Sequence, residues 1–313
     1  MLEYAIRRIL AAVPLLFGLT LLVFIYVRLI PGDPVVAMLG VASDPELVAR
    51  LREELGLNEP WYTQYFTWLA GVAQGDLGTA FRSGAPIAEI LVGRIPASLE
   101  LALAGLIVTL AIAIPAGVAA GMKPGSLLDR VVSGGTLFGL AVPAFWLGAI
   151  LVMVFAVWLR WVPSSGYVPF AKDPGRNLEL LILPALTLGL ALSPYLARLT
   201  RATVLEIRGE TFVGFGRAQG LPGVVIARDL VLRNAAPSLV VAIGVTVGGL
   251  LAGSVVVETL FNWPGMGRLI VVAVGERDYS LIQALLLVYG VIFIVVNLIA
   301  ELAQGLLDPR IRL

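Results

Sequence analysis

The stretch Ser98–Gly121, SLELALAGLIVTLAIAIPAGVAAG, decides the fold class because it is mainly apolar and its only charged residue is one acid near its start. A helix needs about 20 mainly apolar residues to cross the hydrocarbon core of a bilayer, and this stretch is long enough. The whole chain has 59% hydrophobic and 14% charged residues. A soluble domain has roughly 25% charged residues. The sequence therefore predicts an all-α membrane protein.

Six apolar blocks of this kind occur along the 313 residues, and they predict six transmembrane helices. The charged residues Arg28, Glu100 and Glu179 lie near block ends, where a long side chain reaches the membrane interface. Prolines inside the blocks are compatible with helices, because neighbours in a bundle satisfy the freed carbonyls. The predicted spans are about Ile9–Ile30, Ser98–Gly121, Val131–Trp158, Leu178–Ala197, Ala235–Val257 and Leu281–Leu302.

The spans divide the chain into three parts. Residues 1–30 hold the N-terminal end and the first span, residues 31–97 form an extracytoplasmic segment, and residues 98–313 form a core of five spans. The core carries a cytoplasmic loop at about residues 198–234, which is too long for a simple connector.

Basic residues indicate which loops face the cytoplasm. The loop Arg198–Arg233 carries six arginines, whereas residues 31–97 carry eight acids and four bases. The positive-inside rule then places both termini and this loop in the cytoplasm, as expected of a multi-pass protein of the inner membrane. The loop 159–177, with three basic residues on the outside, departs from the rule.

Two short helices are predicted in the extracytoplasmic segment. Asp44-Pro45 is typical of an N-cap and first helical residue, and Gly56 of the helix end. Pro60 opens a second helix that is rich in aromatic residues. These favour an aromatic belt at the level of the lipid headgroups, and a surface that stacks against substrate is the alternative.

Several classes of protein are disfavoured by what the sequence lacks. Without cysteine or histidine it has no disulfide, thiol nucleophile or zinc site of the usual kind. An intramembrane enzyme would need paired acids or a nucleophile with its base at membrane depth, and the spans offer neither. An autonomous channel or secondary transporter would predict inverted repeats and ionisable groups at the midplane, and neither is found. We therefore expect no catalytic residues and no metal site.

The loop between the fourth and fifth spans contains two helical segments on either side of a break at Gly220–Gly223. It reads FVGFGRAQGL over Phe212–Leu221 and RDLVLRNA over Arg228–Ala235. This pattern resembles the coupling loop of ABC-importer permeases of the dipeptide/oligopeptide/nickel family, which reads roughly YVxTARAKGL and then RHALRNA. Taken alone, the arginines are equally compatible with a loop that only fixes the orientation.

Further fragments resemble the same family along the whole chain, and their order matches the six-span layout. They are RLIPGDP at 28–34, GDLG at 75–78, VPAFW at 142–146, WVPSSG at 161–166, WPGMG at 263–267, RDY at 277–279 and DPR at 308–310.

The resemblance implies a type I ABC-importer permease that moves di- or oligopeptides by alternating access. Nickel chelates, glutathione or another small solute are alternative cargoes within the same architecture. The implied partners are a homologous second permease, two cytoplasmic ATPase subunits, an extracytoplasmic binding protein and the lipid bilayer, with no nucleic acid. The chain has no GxxxxGK[ST] phosphate loop, so ATP and Mg²⁺ are expected on the ATPase subunits and no cofactor on this chain.

The resemblance also assigns candidate residues to coupling. Among the positions that depart from the family pattern, Gly216 replaces alanine, Gln219 replaces lysine and Asp229 replaces histidine. Glycine at 216 lowers helix propensity by about 1 kcal/mol relative to alanine. The candidate coupling residues are Phe212, Gly216, Arg217, Ala218, Gly220, Leu221, Arg228 and Asn234.

Small residues recur at spacing four along the fifth span: Gly244, Gly248, Gly249 and Gly253. This spacing lets another helix approach closely. We favour a face against the partner permease that lines the pore; packing within this chain is the alternative. Glu258 lies at the outer end of the span, where a hydrated carboxylate would meet substrate charge.

The segment between the fifth and sixth spans is expected to face outward and contact the binding protein, because it carries a family-like proline-glycine turn. A short re-entrant cap that only closes the bundle is the alternative. The residues concerned are Trp263, Pro264, Gly265, Met266, Gly267, Arg277, Asp278 and Tyr279.

Overall fold

The computed structural model of the chain describes residues 2–30, 35–36, 44–54 and 56–307. Two of the family-like fragments, residues 31–34 of the first and 308–310 of the last, lie outside the described residues. In chain order the helices are α1 (Leu2–Leu29), α2 (Pro45–Glu54), α3 (Trp61–Ala73), α4 (Ile87–Met122), α5 (Leu127–Ala141), α6 (Ala144–Leu151), α7 (Pro174–Arg208), α8 (Thr211–Ala218), α9 (Gly223–Val225), α10 (Arg233–Leu260), α11 (Met266–Glu276) and α12 (Tyr279–Leu307). A π-helical segment, Val152–Trp158, extends α6, and another, Ile226–Leu232, joins α9 to α10.

Membrane-spanning helices account for most of the described chain. Five helical stretches, α1, α4, α7, α9 through α10, and α12, are long and apolar enough to cross a membrane. The helices also run beyond the apolar blocks, since α4 begins at Ile87 instead of Ser98 and α7 ends at Arg208. Hydropathy marks only the apolar part of a helix, so it does not detect the polar ends.

The predicted span Val131–Trp158 is not one continuous helix, because the chain bends by 102° between α5 and α6. Pro143 lies at the break, and the residue before it, Val142, is extended with φ −83° and ψ 119°. A proline ring clashes with a helical conformation of the preceding residue, so the helix ends there. The two pieces form a broken span or a re-entrant turn.

The structure divides into two compact units. The first unit joins Leu99–Trp263 with the chain up to Ile9 and from Val295 onward, and the second joins Leu10–Ser98 with Pro264–Ile294. The expected division at residues 30 and 97 remains a prediction.

In the first unit, α7 is the central helix and packs against α10, α5 and α6. Gly189 of α7 lies so close to α4 that an added Cβ would be 2.5 Å from Cβ of Val108. Thr109 Oγ1 donates a hydrogen bond to the Gly189 carbonyl at 3.1 Å. Small residues thus bring α4 and α7 into close contact, as is common between membrane helices.

In the second unit, α3 packs on α1 through an aromatic cluster. Tyr65 is buried, and its hydroxyl lies 2.8 Å from Thr20 Oγ1. Its ring meets that of Phe24 edge-to-face, with the two ring centres 5.2 Å apart. The aromatic-belt interpretation is therefore wrong for Tyr65, although Trp61 and Tyr62 are exposed. Tyr65 faces its own chain because one side of α3 rests on α1.

The predicted start of α2 is confirmed. Asp44 Oδ1 accepts a hydrogen bond from the Glu46 N–H at 3.0 Å, and Pro45 is the first helical residue. Gly56, just past the helix, has a left-handed φ of +64°. Pro60 precedes α3 as predicted.

Candidate functional site

The segment Gly209–Asn234, here called the α8 loop, folds onto a small apolar core. The loop core consists of Val204, Val213, Ile226 and Val231, each at most 5% exposed. Side chains at the end of α4, including Met122, pack against it. Each buried aliphatic side chain contributes about 1.5–3 kcal/mol. The α8 loop is thereby held firmly to the ends of α4 and α7.

The break after α8 is a complete Schellman motif. Gly220 has φ +78° in the left-handed region, its N–H donates to the Arg217 carbonyl at 2.9 Å, and the Leu221 N–H donates to Gly216 at 3.1 Å. Glycine takes this conformation without the steric cost that a side chain adds. The turn predicted at Gly220 is therefore present, and its geometry requires glycine.

Gly216 is buried on the inner side of α8. A Cβ added there would lie 2.7 Å from Leu230 Cδ1 and 3.3 Å from Leu221 Cδ1. Leu230 and Leu221 thus occupy the space that an alanine methyl group would need. The departure from alanine weakens the helix locally but allows closer packing of α8 on the loop.

The outer side of the α8 loop is apolar and exposed. Phe212, Phe215, Leu221 and Val224 are 41%, 64%, 37% and 77% exposed, and we call them the α8-loop face. Arg217 and Ala218 are exposed between them in sequence. Clusters of exposed apolar side chains mark sites of interaction with other proteins.

Two other predicted coupling residues bond locally. Arg228 donates to both carboxylate oxygens of Asp229, from Nε at 2.7 Å and from Nη2 at 3.0 Å. Asn234 Nδ2 donates to the Leu230 carbonyl at 2.7 Å, within the π-helical segment. Asp229, a departure from the family, thus fixes the arginine beside it.

An ion pair that the sequence reasoning missed joins α5 to α7. Asp129 is buried at the start of α5 and accepts hydrogen bonds from Arg201 Nε at 2.5 Å and Nη2 at 2.9 Å. The Gly125 N–H adds a third bond at 2.9 Å. The available signal was an acid between the basic residues Lys123 and Arg130. In the sequence alone, Arg201 bears only on the orientation of the loop.

The glycines of α10 pack inside this chain. An added Cβ at Gly244 would lie 2.6 Å from Ala300 Cβ of α12, and one at Gly253 would lie 3.3 Å from Leu188 Cδ1 of α7. Gly249 approaches Leu192 of α7, and Gly248 is half-buried. The alternative that these glycines serve packing within the chain is what the structure shows for Gly244, Gly249 and Gly253.

Glu258 is fully buried at the end of α10, so the expectation of a hydrated carboxylate is wrong. The chain turns back immediately, with Asn262 at φ +56°, and the Trp263 N–H donates to the Glu258 carbonyl at 2.8 Å. This turn follows directly on the helix and closes off its end.

The segment expected to face outward is mostly interior. Trp263 is fully buried in the first unit, and the centre of its ring lies 4.7 Å from the centre of the Tyr167 ring. In the second unit, Met266 and Gly267 are buried, and the Met266 N–H donates to Ser98 Oγ at 2.7 Å. The expectation that Met266 faces outward is therefore wrong. Met266 faces inward because it begins α11 in the core of that unit.

Asp278 is also structural. It is buried, and its carboxylate accepts hydrogen bonds from the N–H groups of Phe81, at 2.7 Å, and Leu281, at 3.0 Å. Burial raises the pKa of Asp278, while these two hydrogen bonds oppose the rise. Arg277 is the exposed member of the Arg277–Tyr279 group, and the carbonyl of half-buried Pro264 accepts a bond from Arg94.

Known proteins match the chain along its length. A family model described as the inner membrane component of a binding-protein-dependent transport system matches residues 113–313. A second, describing the N-terminal part of such a membrane component, matches residues 1–102. The chain belongs to this family. The family resemblance drawn from the motifs is confirmed, and the chain is a multi-pass inner membrane protein.

Two relatives extend this membership over the whole chain. The dipeptide transport system permease protein DppB of Escherichia coli (strain K12) is 38% identical, with 100% of this chain and 99% of the relative covered. The oligopeptide transport system permease protein AppB of Bacillus subtilis (strain 168) is 37% identical, with 99% of each chain covered.

A solved structure agrees on the fold. A chain of the MetNI methionine ABC transporter, in inward-facing conformations, has a TM-score of 0.58 over 70% of this chain and 96% of its own length. Its sequence is 20% identical, so the likeness concerns the fold alone. The predicted ABC-importer permease fold is confirmed. Within the described residues, no three or more Asp and Glu side chains group as metal ligands would.

Proposed function

We propose that this permease forms half of the pore of an ATP-driven importer of di- or oligopeptides, paired with a homologous second permease. The names of the full-length relatives support the peptide cargo. Two ATPase subunits and a substrate-binding protein complete the proposed assembly. The ATPase subunits bind ATP and Mg²⁺, and this chain contributes the helical framework that they move.

The observation that supports this proposal most strongly is the α8 loop, with its exposed apolar face on one side and its core on the other. Phe215 and Val224 offer contact area to an ATPase subunit, while Val213 and Ile226 fix the loop to the membrane helices. A movement imposed on the face is then transmitted as a rigid-body movement. The Asp129–Arg201 pair carries it from α7 to α5.

Alternating access requires two packings of the helices with similar free energy. In this proposal the ATPase pair shifts that balance when it closes. Because no step uses a group of this chain as acid, base or nucleophile, its role is mechanical.

Reconstitution of the full complex tests the function. Uptake of a labelled dipeptide into proteoliposomes should require the ATPase subunits and ATP. Uptake by this permease pair alone would indicate an autonomous channel. ATP-dependent uptake of a nickel chelate or glutathione that dipeptides do not inhibit would change the cargo and keep the mechanism.

The proposed orientation has both termini and the α8 loop in the cytoplasm. The chain lacks cysteine, so single cysteines report accessibility cleanly. Ala42, an obvious outer position from the sequence, lies outside the described residues, and exposed Glu59 serves instead. In intact cells an impermeant thiol reagent should label Glu59→Cys and spare Gln219→Cys. Labelling of both from outside would contradict the orientation.

A further inference from the structure

A cavity of about 630 Å³ in the second unit lies beside the last turn of α1 and the first turn of α12. Two guanidinium groups are in its wall, and no carboxylate is among its described lining residues. The polar side chains that line it include Arg28, Arg52, Asn58, Gln64, Tyr279 and Gln283. The wall is thus rich in hydrogen-bond donors, and Arg28 contributes positive charge to it.

Two buried donors in this wall lack an acceptor. Tyr279 is 5% exposed, yet its hydroxyl has no hydrogen-bond partner among the described residues. Nε2 of Gln283, one helical turn later, is also buried without a hydrogen-bond partner among the described residues. Buried polar atoms are almost always paired in folded proteins, and a donor left unpaired is unfavourable. A ligand with several acceptor oxygens would satisfy both.

Arg28 is held in the cavity wall by its neighbours. Its Nη2 donates to Gln64 Oε1, and its guanidinium carbon lies 3.7 Å from the centre of the Phe24 ring. A guanidinium has five N–H donors, so these contacts orient it and leave capacity for an anion. Arg28 stands in the last turn of a membrane-spanning helix, where a long basic side chain reaches the level of the lipid headgroups.

We propose that this cavity binds the phosphate group of an anionic phospholipid. A phosphate is the oxyanion that a membrane supplies at this depth, and it accepts hydrogen bonds without donating any. Arg28 provides charge, and Tyr279 and Gln283 provide two further donors in the wall. The exposed apolar side chain of Leu29, beside Arg28, leaves room for acyl chains along α1.

Titration of the complete transporter with phosphatidylglycerol in detergent, followed by native mass spectrometry, tests the proposal. Arg28→Gln should weaken binding about tenfold, since hydrogen bonds between charged groups are the strong ones. Tyr279→Phe combined with Gln283→Leu should weaken it by a similar factor. These two changes remove only unpaired polar groups, so the variant should fold normally. Arg50→Gln, an exposed arginine on α2 outside the cavity wall, is the matched control and should bind within twofold of the unchanged protein.

Three further results decide the source of the oxyanion. Zwitterionic phosphatidylcholine should bind at least several-fold more weakly, and equal binding would overturn the proposal. Displacement of phosphatidylglycerol by millimolar inorganic phosphate or by a dipeptide, lost in Tyr279→Phe, would assign the cavity to a free anion or to a carboxylate and overturn the lipid source. Unchanged phosphatidylglycerol binding in both variants would remove the site altogether.

Discussion

The α8 loop and the segment Trp263–Gly267 carry family-like motifs of similar strength, yet the structure treats them in opposite ways. In the α8 loop, Phe215 and Val224 are exposed around a glycine turn. In the second segment, Trp263 and Met266 are fully buried. The difference shows that a motif marks a segment as important without saying whether its side chains face a partner or the interior. Burial decides that question.

The largest effect should come from Trp263→Ala. Removing a fully buried tryptophan should lower the free energy of unfolding by about 3–5 kcal/mol. The measurement is thermal unfolding of the purified permease in detergent. The exposed Trp61→Ala is the matched control and should change stability by about 0.5 kcal/mol or less.

This variant is also the sharpest challenge to the comparison between the two regions. If Trp263→Ala is as stable in thermal unfolding as the unchanged protein but no longer binds the binding protein, the segment Trp263–Gly267 is a contact surface after all.

A smaller effect is expected from Asp129→Asn. The change removes the charge that holds Arg201. It should lower the free energy of unfolding by about 1–3 kcal/mol, because the acid is buried while the arginine is partly exposed. Glu54→Gln, which disrupts an exposed pair with Arg50, should fall within about 0.5 kcal/mol of the unchanged protein.

A double-mutant cycle with Arg201→Gln isolates the pair itself. If the coupling free energy is near zero, the pair does not hold α5 to α7. The movement of the α8 loop would then reach α7 but would not pass to α5 through this pair.

The smallest effect should come from Gly216→Ala, which tests the buried side of the α8 loop. Alanine gains about 1 kcal/mol of helix propensity, and crowding against Leu230 opposes it. The net change in unfolding free energy should be under about 1 kcal/mol, since the Leu230 methyl group can move aside. Chemical unfolding, with Gly214→Ala on the exposed side of α8 as control, should show the control to be the more stable of the two.

The sequence predicted those features that depend on local chemistry. The six apolar blocks, the Asp44–Pro45 start of α2 and the glycine turn at 220 follow from hydropathy, capping and backbone conformation. Each involves residues close together in the chain. The prediction and the structure agree where a single local rule determines the conformation.

Features that depend on distant contacts were missed. The Asp129–Arg201 pair joins residues 72 positions apart, and nothing in the local sequence links them. The burial of Glu258 and Trp263 was missed for the same reason. In a membrane protein, apolar residues that face lipid and those that face protein have the same composition, so hydropathy cannot separate them. The α10 glycines show this, since their spacing indicated a close helix but not which one.

The central claim is that the exposed face of the α8 loop transmits the action of the ATPase, and Gly220→Val tests it most directly. Gly220 has φ +78°, and a Cβ there would meet no atom within 4 Å, so valine strains the turn without crowding the interior. Gly84→Val, at φ +65° with equally open surroundings, is the matched control in the second unit. ATPase activity stimulated by substrate and binding protein is measured on the assembled, reconstituted complex. We expect Gly220→Val to assemble and to lose at least tenfold of the stimulated activity and of peptide uptake, while Gly84→Val keeps both. Normal stimulation in an assembled Gly220→Val complex would contradict the account.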